Sequence, residues 1–216
     1  MNAPARTRTV APAWPLYLAA FATAAVVAGA VGEAFSGGSL AELGIPDPGA
    51  ATTVGLPALR GVAWLLMALA TGSFMLSAFL IAPKQTQEDL NGARLTVDGH
   101  LASRTGAHAS AGIALIGLVM IPLVLSDVSG QPLRTVLFEA AAWSQALDQV
   151  ADARVWLIVA AFAAVVAAFG YAATSWWSQV WLFLGAIVVV MPIALTGHSA
   201  TGGAHDFGTN SLIWHL

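Results

Sequence analysis

Apolar and charged positions along this chain separate into long blocks. Thr9 to Gly32, Gly61 to Pro83 and Thr105 to Ser126 are each free of Asp, Glu, Lys and Arg, and no such residue occurs from Val155 to His205. A helical crossing of the bilayer core takes ~20 predominantly apolar residues. The first three blocks each match one crossing, and the last is long enough for two joined by a turn. Thr174-Ser175-Trp176-Trp177-Ser178-Gln179 supplies that turn, with Trp181 close behind. Tryptophans gathered at an apolar boundary mark the headgroup level. Inside the bilayer the backbone must satisfy its own polar groups, so each crossing is a helix. The pattern predicts spans at about 14–35, 56–82, 104–125, 155–174 and 177–196.

These spans define an all-α polytopic transmembrane bundle forming a single membrane domain over 1–216. A sixth helix begins at about Asn210, where Thr209 or Asn210 can cap it. Asn210 to Leu216 is too short to cross, and the expectation is that a boundary cuts this span short. Between spans three and four, Val136, Leu137, Ala140, Trp143 and Leu147 recur at helical spacing and predict a short surface helix. In the first loop, Gly44-Ile45-Pro46-Asp47-Pro48-Gly49 is turn chemistry.

Composition agrees with the pattern. Hydrophobic residues are 58% of the chain and charged residues 9%, against about 25% charged in soluble domains. A net charge of −3 gives no reason to expect a nucleic acid partner. The absence of cysteine excludes disulfides, thiolate metal sites, iron–sulfur clusters and covalent haem attachment. Any metal must be held by His, Met, carboxylate or backbone oxygen. The first apolar stretch is longer than the ~7–15 residues of a signal-peptide core, so it reads as a retained span. With the N-terminus inside, Arg6, Arg8, Lys84, Arg94 and Arg104 fall on the inner side and Arg60, Arg134 and Arg154 on the outer side. That bias has the sign expected for a cytoplasmic N-terminus.

Candidate chemistry gathers beyond the fifth span. His198 and His205 flank a glycine-rich segment, Asp206 follows, and His215 stands next to the C-terminus. Imidazole suits copper, zinc, iron and nickel, and thioether selects Cu(I). His215, ten residues after His205, would lie ~15 Å away along a shared helix and suits a second, deeper position. Met191 is two helical turns before His198, and Met67 and Met120 fall in the outer halves of spans two and three. The metal sites expected are therefore His198, His205, His215 and Met191, with Met67 and Met120 as a thioether relay. The plainer alternatives are loop histidines and methionines that fill gaps in an apolar core. Arg60, just inside the outer end of span two, is either paired, with Glu33 as one candidate, or snorkels to the interface. His100 and His108 at the entry to span three are haem-ligand or proton-acceptor candidates, against an ordinary interfacial placement. They share a helix face only if the helix begins before His100. Gly29 and Gly32 have the wrong spacing for a helix-packing motif. No nucleotide loop, nucleophile elbow or zinc-protease motif occurs, and no enzymatic activity is expected.

The stretch Gly44 to Gly49 running through Gly55-Leu56-Pro57-Ala58-Leu59-Arg60 resembles the first outer loop and second span of the copper resistance protein D family. It is most similar to members fused to a cytochrome c oxidase assembly factor domain. The segments Thr196-Gly197-His198-Ser199-Ala200, His205-Asp206 and Asn210 to Leu216 resemble the same family's Gly-His element and the helix after it. The resemblance implies an inner-membrane protein that moves copper across the plasma membrane or supplies it to a metalloenzyme. Its implied partners are membrane lipid, the copper ion or an extracytoplasmic copper carrier, and respiratory oxidase assembly. The family's helical core is also similar to membrane di-haem cytochromes, which makes a haem b electron-transfer protein the alternative.

Overall fold

The structure is a computed structural model, and it describes residues 14–36, 44, 47–81 and 93–194. Helix α1 is Trp14–Ser36. A short α2, Ala50–Thr53, leads through Val54 into α3, Gly55–Met75, which passes directly into a π-helical turn, Leu76–Leu80. The long α4 is Val97–Ser129. Two short helices follow, α5 (Leu133–Phe138) and α6 (Ala140–Gln149), then α7 (Ala151–Ala172) and α8 (Trp176–Ala194). Five helical stretches among the described residues are long and apolar enough to cross a membrane: Trp14–Ala34, Ala50–Leu80, Val97–Ser129, Ala151–Ala172 and Trp176–Ile193. The protein is an all-α, multi-pass membrane bundle.

Helix ends explain where the observed spans outrun the charge-free blocks. α4 begins seven residues before the predicted 104 because Thr96 caps it, its Oγ1 accepting the Gly99 N–H at 3.1 Å. Asp98 in the first turn complements the positive helix end. At the other end Gly130, at φ 64°, takes the left-handed conformation that closes a helix. The predicted surface helix is two pieces, α5 and α6, with the Trp143 indole N–H donating to the Val136 carbonyl at 3.0 Å across the break.

α4 is the most enclosed of the five crossings and α1 the least. Small residues bring backbones together. A Cβ on Gly117 would lie 3.0 Å from the Trp156 carbonyl oxygen and 2.9 Å from the Ala160 Cβ, so α4 and α7 touch nearly backbone to backbone there. Gly170 faces Ala107 in the same seam, and Gly106 lies under the Phe74 ring. The α1–α3 contact is also built on small residues, with Gly32 in a series other than the Gly29–Gly32 pair. A Cβ on Gly32 would collide with the Pro57 ring, and one on Gly61 would fall 3.0 Å from Ala28 Cβ. Ala24, Ala28 and Gly32, spaced by four, line one edge of α1. Gly32 is therefore a packing residue whose partner spacing runs through alanines.

With five crossings, helix ends sort onto two faces. The near face carries the start of α1, the π turn, the start of α4 and the α7–α8 turn. The far face carries the end of α1, α2, the end of α4, α5, α6 and the starts of α3 and α7. The near face is bolted through the π turn. Ser77 Oγ donates to the Gly99 carbonyl at 2.9 Å, and the Trp176 indole N–H donates to the Ala78 carbonyl at 2.7 Å.

Candidate functional site

At the far face, α3, α4 and α7 converge on a charged group. Arg60, in the second turn of α3, donates from Nη2 to Asp152 Oδ2 at 2.8 Å. Asp152 sits in the first turn of α7, where a carboxylate also meets the positive helix end. Asp127, near the end of α4, lies within the electrostatic field of both Arg60 and Asp152. Arg60 is thus paired, but not with Glu33, which accepts from Thr53 Oγ1 at 3.2 Å instead. Sequence spacing could not find Asp152, which is 92 positions away. The available signal was weak: Asp152 stands just before the apolar block that begins at Val155.

A buried hydroxyl chain lies beside this pair. Ser126 Oγ donates to the Gln131 carbonyl at 2.6 Å, so the 2.7 Å contact between Thr52 and Ser126 is donated by Thr52. Thr52 and Ser126 are both fully buried. The chain locks α2 to the end of α4 and orients no hydroxyl oxygen toward solvent.

The methionines divide. Met67 and Met120 are buried in one continuous core cluster with Phe74, Ile113 and Trp156. Met67 lies seven residues below Arg60 on α3, ~10 Å along the axis. Met191, in the last turn of α8, is 41% exposed, so it stands at the bundle surface apart from that core. His198, His205, Asp206 and His215 lie outside the described residues. Among the described residues, no three side chains of His, Cys, Asp or Glu come together to hold a metal.

The near face holds the two described histidines. α4 begins before His100, so His100, Arg104 and His108 form one stripe at i, i+4 and i+8. Arg104 Nε donates to His100 Nε2 at 3.4 Å, and His108 Nδ1 is 2.6 Å from the Arg104 carbonyl oxygen. Tyr171 of α7 covers the stripe: its ring is 5.3 Å from that of His108, edge to face, and 5.6 Å from the Arg104 guanidinium carbon. A bis-histidine haem needs imidazoles converging from opposite sides. His100 and His108 stand on one stripe of one helix and do not converge from opposite sides. Tyr171 carries no motif, and only the α4–α7 seam brings it to this stripe.

No curated protein matches the chain, and no solved structure matches it. One family model does, over residues 50–206, described as the copper resistance protein D-like N-terminal domain. The match takes in α2 through α8, the Arg60–Asp152 pair, all three methionines named above, and His198 and His205. This chain therefore belongs to the copper resistance protein D-like family.

Proposed function

We propose that this protein captures copper at the far face of a plasma-membrane bundle and either carries it across or hands it to a metalloenzyme. The observation that carries the reading is the family match, which ends on His205-Asp206 and so includes the histidine-rich segment after α8. The path would run from His198 and His205 to Met191, and from there to Met67 and Met120. Imidazole at the entrance followed by thioether in the apolar core suits Cu(I), the softer ion. His215 would serve as a deeper ligand. The N-terminus is cytoplasmic in this reading, so the far face is extracytoplasmic and meets either the free ion or a copper carrier. The protein moves its cargo without chemical change and is not an enzyme.

Copper titration of the full chain tests the proposal. Replacing His198 and His205 together by Ala should abolish binding, with the helical content unchanged. Retention of wild-type stoichiometry and affinity by that variant would remove both residues from the site. A Soret band in the purified protein would point instead to haem.

A further inference from the structure

Two concavities open on the near face and share Thr174 in their walls. The first is a cleft of about 330 Å³ at the start of α4, lined by Arg94, Thr96, Val97 and His100 among others. The second is a groove of about 660 Å³ between α7 and α8. Phe162, Val165, Phe169, Leu182 and Val188 make it apolar along its length, and Ser175, Ser178 and Trp181 stand at its mouth. One cavity is basic, the other is greasy, and they meet at a single residue.

The cleft is held in place by backbone. Arg94 pairs with Ser175 in an isolated antiparallel bridge. On either side of it the Leu95 N–H donates to the Thr174 carbonyl at 3.1 Å, and the Trp176 N–H donates to the Ala93 carbonyl at 2.9 Å. Arg94 is exposed, and the one ion pair among the described residues is elsewhere, at Arg60 and Asp152. Arg104 donates to His100 Nε2, which leaves Nδ1–H as the donor of that ring. The first turn of α4 adds the positive end of a long helix. Asp98 is the carboxylate nearest in sequence; it is exposed and is not part of the cleft wall. Among the described residues the balance favours an anion.

The groove has the depth of one leaflet. Its α7 wall runs from Phe162 to Ala172, ten helical steps or ~15 Å, half of the ~30 Å hydrocarbon core. Its mouth lies at the headgroup level, marked by Trp181 and by Trp177 set edge-on to it at 6.1 Å. An occupant matching both cavities has an anionic head at that level and an apolar tail one leaflet long.

We infer that the near face carries a specific site for an anionic phospholipid. The phosphate sits against Arg94 and His100, and one acyl chain lies along the α7–α8 groove. This is independent of copper handling.

Native mass spectrometry of the full chain in detergent provides the test. The probes are dioleoyl phosphatidylglycerol and dioleoyl phosphatidylcholine, identical in their tails. The expected result is at least fivefold greater retention of phosphatidylglycerol by the wild-type protein. Arg94→Gln with His100→Gln should bring it down to the phosphatidylcholine level. Val188→Trp, which fills the groove, should lower retention of both lipids. Equal retention of the two lipids by the wild-type chain overturns the proposal without recourse to any variant. So does unchanged preference in the Arg94→Gln, His100→Gln protein. Displacement of the lipid by glycerol 3-phosphate alone would make the cleft a site for a soluble phosphate. Retention of neither lipid would mean that protein fills the groove. Either result refutes a lipid site.

Discussion

Arg60 and Asp152 meet at 2.8 Å across the far face, joining the start of α3 to the start of α7. Their side chains are 44% and 30% exposed, so water and headgroups screen the pair. Exposed ion pairs are worth about 0.2–1 kcal/mol, and this one belongs in that range. A double-mutant cycle with Arg60→Met and Asp152→Asn, read by thermal unfolding in detergent, should give a coupling energy of that size. A coupling indistinguishable from zero would return Arg60 to a snorkelling role.

Gly117 should tolerate no side chain. A Cβ there would lie 3.0 Å from the Trp156 carbonyl oxygen, and main chain cannot swing aside as a side chain does. Gly117→Val should cost about 1–3 kcal/mol or more, the range for overpacking a tight core. Gly72, where an added methyl would meet nothing within 4 Å, is the control. Gly72→Ala should be neutral or slightly stabilising, because alanine favours the helix by ~1 kcal/mol. Equal melting temperatures for the two variants would contradict the close α4–α7 approach.

The two buried methionines allow packing and copper transfer to be separated. Met67→Leu and Met120→Leu keep volume and remove sulfur, and such exchanges usually cost less than ~1.5 kcal/mol. If the relay operates, each variant should slow copper movement into vesicles while capture at the far face stays intact. Unaltered transport in both variants would leave Met67 and Met120 as core residues alone.

Gln179 is fully buried, and its Oε1 has no hydrogen-bond partner, while Nε2 reaches Ser178 Oγ only at 3.5 Å. A buried polar atom without a partner costs about 1–3 kcal/mol. Gln179→Met should therefore leave stability unchanged or raise it by about 1 kcal/mol. A clear loss of stability would show that the amide makes a compensating interaction.

The chain lacks cysteine, so single cysteines report topology cleanly. Asp98 and Gln131 are exposed at opposite ends of α4. With the N-terminus in the cytoplasm, an impermeant thiol reagent applied to whole cells should label Gln131→Cys and spare Asp98→Cys. The reverse pattern would invert the orientation and place the histidine-rich segment inside.

Crossings were legible in the sequence because the bilayer imposes one demand on every residue of a span. Charge-free blocks therefore located all five helices. Their ends were less legible. Asp98 and Asp127 lie in the first and last turns of α4 and Arg104 in its third, where a long side chain still reaches the membrane edge. Partners were least legible. Asp152 and Tyr171 reach Arg60 and Arg104 only because α3 and α7 both pack on α4, and periodicity within one helix says nothing of rotation against another. Gly32 shows the same limit, because its role depends on Pro57, a residue of a different helix. Of the methionines proposed to carry copper, Met67 and Met120 share one core, while Met191 stands outside it at the bundle surface.

The thin attachment of α1 bears on which faces the two ends of the bundle occupy. The family match begins at residue 50, after α1, and α1 packs chiefly on α3 through its small-residue edge. The matched region contributes four crossings, an even number, so Ala50 and Ala194 emerge on the same side of the bilayer. Adding α1 makes the count odd. It puts Trp14 and Ala194 on opposite faces of the bundle. α1 is thus a parity element: it makes the described bundle begin and end on opposite faces, while contributing little to the core that the other four crossings build.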